Sequence, residues 1–276
     1  MKLVTDNRAS RILYNFLSSN VFERPVIVPS NVCEVVPAVF KEAGVEFIYS
    51  DIDPNSLCLD LSWVMNHLDE YSGILFVHTY GIEKSFECFF KDIKKSNTDF
   101  FIIDDRCLCT PSTSAPMTSA DLCLFSVGEK KQVDLGMGGF AYLQDKLSYR
   151  VSSLNSVSFL NDSYWCFDAA LIDDKASVAT MHRDKLNAIY HSSLPKSIQL
   201  QDEFQKWRFN ILVDNKQSIL EALFANGLFA SSHYRPLMDT SHNAVWLHRH
   251  IINLFNDFHY SDEMAVKTCS IINSLI

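Results

Sequence analysis

The chain has 276 residues, of which 47% are hydrophobic and 21% are charged. This balance is ordinary for a globular protein that buries a real core. A net charge of -9 argues against a general nucleic-acid surface, because such a surface needs a positive field. A small anionic ligand held by a few local donors remains compatible with that charge.

Eight cysteines are dispersed along the chain, and no Cys-x-x-Cys pair occurs. Most lie in apolar runs, as Cys123 does, which is typical of small buried hydrophobic residues in a reduced protein. The N-terminal residues lack an apolar core of signal-peptide length, and no uninterrupted apolar run approaches the ~20 residues of a membrane span. We therefore expect a soluble, cytoplasmic protein with neither nucleic-acid nor membrane partners.

The first half of the chain alternates short β-branched or aromatic runs with helical stretches. The predicted strands are residues 2–5, 25–28, 46–49, 73–78, 99–103, 122–125 and 139–143, and the helices are about 8–19, 33–43, 60–69 and 84–96. Several strands are almost continuously apolar, the pattern of strands buried on both faces. The alternation predicts an α/β fold with a mixed, mostly parallel seven-stranded sheet. A glycine-rich loop precedes the seventh strand, which indicates an antiparallel strand there.

The second half has a different character. We predict one long helix at residues 165–193, a strand at 206–213, and helices at about 216–226 and 261–275. Gly227 follows the first of these shorter helices as a helix-stop residue. The predicted organisation is a large domain at residues 1–165, a connecting helix at 166–195, and a small C-terminal α+β domain at 196–276.

Ligands of a parallel α/β sheet bind at the carboxyl ends of its strands, so the residues that follow each strand are candidates for a site. The string Asp6-Asn7-Arg8-Ala9-Ser10 follows the first strand and opens a helix. The N-terminus of a helix offers free N–H groups and a positive dipole end, which suit a phosphate. The alternative is a plain helix cap supplied by Asp6 or Asn7.

Two adjacent carboxylates, Asp104 and Asp105, follow the apolar run of the fifth predicted strand. We expect them to end the strand, and one of them to point into the crevice at the edge of the sheet. The alternative is a turn in which they are solvated or paired with an arginine.

The segment after the sixth strand runs from Ser126 through Lys130 and Lys131 to a glycine-rich return. A lysine held between a buried strand and such a return can be desolvated, as a Schiff-base lysine must be. The glycines let the backbone pass close to a ligand. The alternative is a surface hairpin with two solvated lysines.

These pieces together match the needs of pyridoxal 5'-phosphate (PLP). The cofactor requires an anion site for its phosphate, a carboxylate that keeps the pyridine nitrogen protonated, and a lysine for the Schiff base. The chain offers a candidate for each need at the end of a separate strand, with a serine and a lysine five residues apart. The order of the pieces therefore favours PLP as cofactor.

Further segments support the same interpretation. Residues 26–30 read V-I-V-P-S, 51–54 read D-I-D-P, 77–81 read V-H-T-Y-G, and 121–126 with Lys131 fit D-x-x-x-F-S-x-x-x-x-K. With these segments and three in the small domain, at 207–213, 233–237 and 252–254, the sequence resembles the DegT/DnrJ/EryC1/StrS family of PLP-dependent sugar aminotransferases. The resemblance covers nearly the whole chain and implies the fold of type I PLP-dependent transferases.

The resemblance assigns roles to individual residues. It implies that Lys131, five residues after Ser126, is the catalytic lysine, and that Asp105 contacts the pyridine nitrogen. Ser126 binds the phosphate in the family motif. The remaining cofactor-binding candidates lie at the start of the first helix: Asn7, Arg8, Ala9 and Ser10.

The implied reaction moves an amino group from glutamate to a nucleotide-linked keto sugar, as in the biosynthesis of surface polysaccharides and related sugars. Lys131 moves the proton between the substrate carbon and the cofactor's C4′ atom. Family members are homodimers, so a homodimer is the expectation.

Three positions depart from the family pattern. Leu108 stands where the family usually carries a glutamine, residues 6–11 replace the usual phosphate loop, and residues 31–33 lack the aromatic residue that commonly stacks on the cofactor. These departures keep two alternatives open. One is a paralogue with a binding or regulatory role but without turnover, and the other is a different PLP reaction such as a dehydration or a lyase.

The histidines give weaker evidence for a functional site than the residues named above. The pair His248-x-His250 lacks a third ligand at suitable spacing, so we assign no metal. His78 lies near the expected crevice, and we interpret it as a buried histidine with satisfied hydrogen bonds.

Overall fold

The computed structural model describes residues 1–152 and 165–276. Its main sheet has the strands β1 (Lys2–Asp6), β2 (Val26–Pro29), β3 (Phe47–Ser50), β4 (Gly73–Val77), β5 (Phe101–Asp105), β6 (Leu122–Ser126) and β7 (Gly139–Leu143), in the order β1-β7-β6-β5-β4-β2-β3. The predicted seven-stranded α/β sheet is therefore confirmed. Residues 153–164, which the sequence assigned to the large domain, lie outside the described residues.

The direction of the strands decides where a site can form. Strands β2 to β6 pair in parallel, whereas β7 is antiparallel to both of its neighbours, β6 and β1, as predicted. Because β7 reverses the direction between them, β1 points the same way as β6. The carboxyl ends of β1, β5 and β6 therefore lie at the same edge of the sheet.

Helices cover both faces of this sheet, and they are α1 (Ala9–Ser19), α2 (Val35–Glu42), α3 (Leu61–Met65) and α4 (Glu87–Ser96). Successive strand residues point to opposite faces. Ile27 accordingly packs in the core on the side of α3 and α4, whereas Val26 and Val28 pack in the core on the side of α1 and α2. Burial on both faces explains the almost continuous apolar runs in the sequence.

Helix α3 is shorter than the predicted 60–69. The Asp60 carboxylate accepts the N–H of Trp63 and begins the helix. The N–H groups of Asn66 and His67 bond to carbonyls three residues back, so a tight turn closes the helix after one short run.

Strand β5 extends two residues beyond the predicted end at residue 103. Asp104 and Asp105 lie within the strand, opposite Phe76 and Val77 of β4. The strand ends at the second carboxylate, as expected, but the predicted end at residue 103 was wrong because Asp104, which is fully buried, is neutralised by its partners and stays within the strand. A paired carboxylate can remain in a buried strand.

The C-terminal part begins with the long helix α5 (Ala169–Ser193), which starts four residues later than predicted because the Asp168 carboxylate caps it through the N–H of Leu171. A second sheet then follows, with strands β8 (Phe209–Leu212), β9 (Ala230–Ser231) and β10 (Ile251–Leu254) in the antiparallel order β8-β10-β9. Its helices are α6 (Lys216–Ala225), α7 (His242–His250) and α8 (Asp262–Asn273).

The small sheet and the main sheet are joined by specific contacts. The Asp51 carboxylate, just beyond β3, accepts the N–H groups of Asn243 and Ala244 at the start of α7, at 2.9 Å and 3.0 Å. A negative charge at the N-terminus of a helix is favourable because of the helix dipole. No helix in the described ranges has the length and apolar character needed to cross a membrane.

Candidate functional site

A cavity of about 330 Å³ opens at the edge where β1, β5 and β6 end. Its size lies at the lower end of the roughly 300–1,000 Å³ typical of small-molecule sites. Every residue that the sequence proposed for the site lines this cavity, and these residues are Asn7, Arg8, Ala9, Ser10, Asp105, Ser126 and Lys131. The fold thus brings together residues separated by more than 100 positions in the sequence.

A larger groove, of about 570 Å³, lies at the opposite ends of the strands. One of its two lysines, Lys94, is bonded to the Asp121 carboxylate at 2.5 Å and to the carbonyl of Phe100 at 2.7 Å. These two charges satisfy one another, and none of the proposed site residues lies there. The smaller cavity is therefore the candidate site.

The start of α1 supplies a free donor to the cavity. Arg8 is the N-cap residue and makes no side-chain cap hydrogen bond, so the alternative of a plain cap by Asp6 or Asn7 is not what the structure shows. The Asp6 carboxylate instead bonds to the N–H of Asn7 and pairs with Arg11. Among the described residues, the N–H of Ser10 has no acceptor, whereas the parallel bridge between Arg8 and Gly138 directs the N–H of Ala9 towards the carbonyl of Gly138. One helix N–H group is therefore available to an anion.

Two glycines keep that helix start open. A Cβ added to Gly139 would lie 2.3 Å from the amide nitrogen of Ala9, and one added to Gly138 would lie 2.4 Å from the ring of Trp165. The N–H of Gly138 also donates to the carbonyl of Asn7 at 2.7 Å. A side chain at Gly139 would occupy the space in which the backbone of α1 and the start of β7 meet, and one at Gly138 would occupy the space of the Trp165 ring.

The two adjacent carboxylates of β5 have different environments. Asp104 accepts from His78 Nε2 at 2.8 Å and from Arg106 Nε at 2.7 Å, so it is the arginine-paired residue that the alternative interpretation described. The second ring nitrogen of His78 bonds to the carbonyl of Ile82, which confirms a buried, satisfied histidine. Asp105 lines the cavity instead and accepts the N–H of Cys107.

Cys107 was not among the predicted site residues, yet it lines the cavity beside Asp105. Burial raises the pKa of the Cys107 thiol well above its usual range, Asp105 raises it further, and Lys131 lowers it. The carboxylate and the amine therefore both act on one thiol inside the same cavity. Nothing in the sequence distinguishes this cysteine from the other buried ones.

Apolar side chains of α2 and the residues before it form another wall, which includes Cys33, Val35 and Val36. Leu108, by contrast, is buried in the core with Tyr80 and Trp207 and does not line the cavity. The wall thus offers aliphatic and thiol groups, in line with the absence of an aromatic residue from residues 31–33. Among the described residues, no group of three or more His, Cys, Asp or Glu side chains is placed to hold a metal ion.

The sequence matches no family model, and no curated protein matches it either. Solved structures do match over the whole chain. One is a DegT DnrJ EryC1 StrS aminotransferase from Brucella abortus, at 17% identity and a TM-score of 0.75, covering 99% of this chain and 86% of that chain. Another is DesV from S. venezuelae in complex with a ketimine intermediate, at 16% identity and a TM-score of 0.77, covering 99% and 84%.

A third similar structure is the E. coli GDP-4-keto-6-deoxy-D-mannose-3-dehydratase with bound hydrated PLP, at 13% identity and a TM-score of 0.72, covering 98% of this chain and 87% of that chain. The chain therefore has the fold of type I PLP-dependent transferases, as the resemblance implied. Within that fold, the similar structures include DegT-type aminotransferases.

Proposed function

We propose that this chain is a PLP-dependent aminotransferase that transfers an amino group from glutamate to a nucleotide-linked keto sugar. One observation carries the proposal: Lys131, Asp105, Ser126 and the start of α1, where the N–H of Ser10 is free, line a single cavity. An amine, a carboxylate and an anion site in one cavity are the set of groups that PLP requires.

The residues present fit the cofactor. The N–H of Ser10, together with the Ser126 hydroxyl, would hold the phosphate, with Asn7, Arg8 and Ala9 completing the helix start. This anion site is open because Gly139 leaves no side chain against the amide of Ala9. The apolar wall near Val35 and Val36 would cover one side of the ring.

The chemistry divides between the cofactor and the protein. When bound, PLP supplies an electron sink for the bond that breaks at the substrate carbon. Asp105 would keep the pyridine nitrogen protonated, a role for which its position in the cavity qualifies it. The Lys131 amine would hold the cofactor covalently and then move the proton between the substrate carbon and C4′.

The substrate class is inferred from two sources. The sequence resembles a family of sugar aminotransferases, and a similar structure is named for GDP-4-keto-6-deoxy-D-mannose, a nucleotide-linked keto sugar. Glutamate as donor, a role in surface-polysaccharide or related sugar biosynthesis, a cytoplasmic location and a homodimeric state complete the proposal.

The visible spectrum of the purified protein tests the proposal. The wild type is expected to show the absorption band of protein-bound PLP and to lose it on addition of glutamate. Lys131→Ala is expected to abolish the band, whereas Lys130→Ala, which removes the adjacent amine, is expected to keep it. A colourless protein that added PLP does not restore would instead support a paralogue with a binding or regulatory role.

Labelled glutamate distinguishes the reaction type. Incubation with ¹⁵N-glutamate and a nucleotide-linked keto sugar is expected to place the label in the sugar. Loss of a sugar hydroxyl without gain of nitrogen would contradict amino transfer and identify a dehydration on the same fold.

A further inference from the structure

Two neighbouring amines line the candidate cavity. Lys130 is exposed and Lys131 is half-buried, yet both contribute to the cavity wall. Lys130 has a φ of +61°, in the left-handed region that residues other than glycine seldom adopt. The backbone must therefore be held in this conformation by other groups.

Part of the restraint comes from within the loop that joins β6 to β7. The Asp134 carboxylate accepts the N–H of Lys130 at 2.8 Å and the N–H of Gly136 at 2.9 Å. These two bonds fold the loop on itself. They leave the carbonyls of residues 130, 131 and 132 to be bound by other parts of the chain.

Arg183 of helix α5 binds two of these carbonyls. Its Nη1 donates to the carbonyl of Gln132 at 3.3 Å, and its Nη2 donates to the carbonyl of Lys131 at 3.4 Å. The side chain is buried, with 4% relative exposure, and its Nε has no partner among the described residues. A buried guanidinium is costly unless its hydrogen bonds are made, so these two carbonyls are important partners.

Trp207, just before β8, binds the third carbonyl. Its indole Nε1 donates to the carbonyl of Lys130 at 2.9 Å, and the side chain is buried. Indole N–H groups that are buried usually find such a partner. Arg183 of helix α5 and Trp207, just before β8, thus bind three successive carbonyls from outside the loop.

Arg183 remains a charged donor despite its burial. Burial and, to a smaller extent, the nearby Arg208 lower the pKa of Arg183 to about 10, and Asp257 opposes the change. Arg208 is itself paired with Asp257 at 2.5 Å. The guanidinium of Arg183 therefore stays charged at neutral pH and can bind carbonyl oxygens strongly.

We propose that Arg183 and Trp207 are positioning residues that fix the backbone of residues 130–132, so that Lys131 and not Lys130 presents its amine to the cofactor. The part of this proposal that concerns the binding of PLP to the Lys131 amine rests on the proposed function. The restraint on the backbone is a property of the chain alone, so it can be tested with and without PLP.

The first test measures which lysine PLP modifies. The full chain is loaded with PLP and reduced with borohydride, and the modified lysine is assigned by mass spectrometry in the wild type, Arg183→Met, Arg183→Lys and Trp207→Phe. The wild type is expected to carry the adduct on Lys131. Arg183→Met loses the hydrogen bonds of a charged donor, so we expect the ratio of adduct on Lys131 to adduct on Lys130 to fall roughly tenfold. Arg183→Lys should restore part of the ratio.

Matched controls separate positioning from a general loss of stability. Arg249→Met and Trp246→Phe change the same residue types at exposed positions on α7 and are expected to leave the ratio unchanged. An unchanged ratio in both Arg183→Met and Trp207→Phe, with thermal melts showing folded proteins, would overturn the proposal.

The second test needs no cofactor. Brief reductive methylation with formaldehyde labels free amines, and the wild type is expected to label Lys130 several-fold faster than the half-buried Lys131 because accessibility sets the rate. This difference should shrink in Arg183→Met and Trp207→Phe but not in the two controls. If PLP modifies neither lysine in the wild type, the proposed function fails. The methylation ratio of the two lysines still tests the positioning role of Arg183 and Trp207 in that case. An identical methylation ratio in all variants would refute the positioning role.

Discussion

Gly139 lies so close to Ala9 that a Cβ on the glycine would stand 2.3 Å from the alanine's amide nitrogen. Gly139→Ala must therefore push the start of α1 away from β7. We expect a loss of about 1–3 kcal/mol in the free energy of unfolding, as overpacking produces. Because the displaced helix start carries a proposed phosphate donor, the dissociation constant for PLP should rise at least roughly tenfold.

Urea unfolding and a PLP titration measure the two effects of this change. Gly73→Ala is the matched control, since a Cβ there would also clash, 2.5 Å from the carbonyl oxygen of Phe101, but outside the cavity, so it should lower stability and leave PLP affinity unchanged. Equal PLP affinity in Gly139→Ala and the wild type would contradict the assignment of the helix start.

The adjacent aspartates should respond differently to the same substitution. Asp104→Asn breaks a buried charge cluster with His78 and Arg106, and we expect a loss of roughly 3–5 kcal/mol in the free energy of unfolding. Asp105→Asn keeps an acceptor for the N–H of Cys107, so stability should change by no more than about 1 kcal/mol. Amino transfer should instead fall by orders of magnitude in Asp105→Asn. Denaturant unfolding and turnover assays of both variants test this contrast, and a fully active Asp105→Asn protein would exclude the assigned role.

Acid should weaken the fold through Asp104. Burial raises the pKa of this carboxyl, but His78 and Arg106 outweigh burial and hold the pKa below its ordinary value of 3.8. A lowered pKa in the folded state means that the contribution to stability is complete above about pH 4 and is lost as the pH falls through the lower folded value.

We therefore expect the free energy of unfolding of the wild type to decline below about pH 4, and Asp104→Asn to decline less steeply in that range. Chemical denaturation at stepwise pH provides the measurement. Parallel pH profiles for the two proteins would show that Asp104 does not contribute to the acid response.

Substitution of Leu108 by glutamine should destabilise the protein, although the family that the sequence resembles usually carries glutamine at this position. The side chain lies in the core with Tyr80 and Trp207 and does not line the cavity. Leu108→Gln would bury an amide without evident partners, at a cost of about 1–3 kcal/mol. We expect no gain in PLP affinity. Leu108→Met, a volume-conserving control, should cost less than about 1.5 kcal/mol. Tighter PLP binding by Leu108→Gln would show that this residue reaches the cofactor.

The sequence was sufficient to predict the main sheet because burial on both faces leaves a local signature. Runs such as residues 73–77 are apolar throughout and are separated by helical patterns. The position of the site also followed, since ligands of such sheets bind where the strands end. That rule singled out the pair Asp104 and Asp105, Ser126 and the two lysines, and the family resemblance then selected Asp105 and Lys131.

The features that the sequence did not reveal depend on contacts between residues that are far apart in the chain. Strand β5 extends through Asp104 because His78, 26 residues earlier in the chain, supplies its partner. Arg183 binds a carbonyl 52 residues away, and an arginine in an amphipathic helix looks the same in sequence whether it points inward or outward. Partners of this kind are fixed only by the packed structure.

The pairing of β1 with β7 has a consequence for synthesis on the ribosome. Leu3 lies opposite Tyr142, so β1 has no neighbour in its sheet until residues 139–143 have been translated. Contacts between such distant residues form late because a long loop must close first. A nascent chain that ends before β7 carries α1 without the strand that fixes its position. The residues that line the candidate cavity are therefore not brought together in a growing chain until β7 has been made.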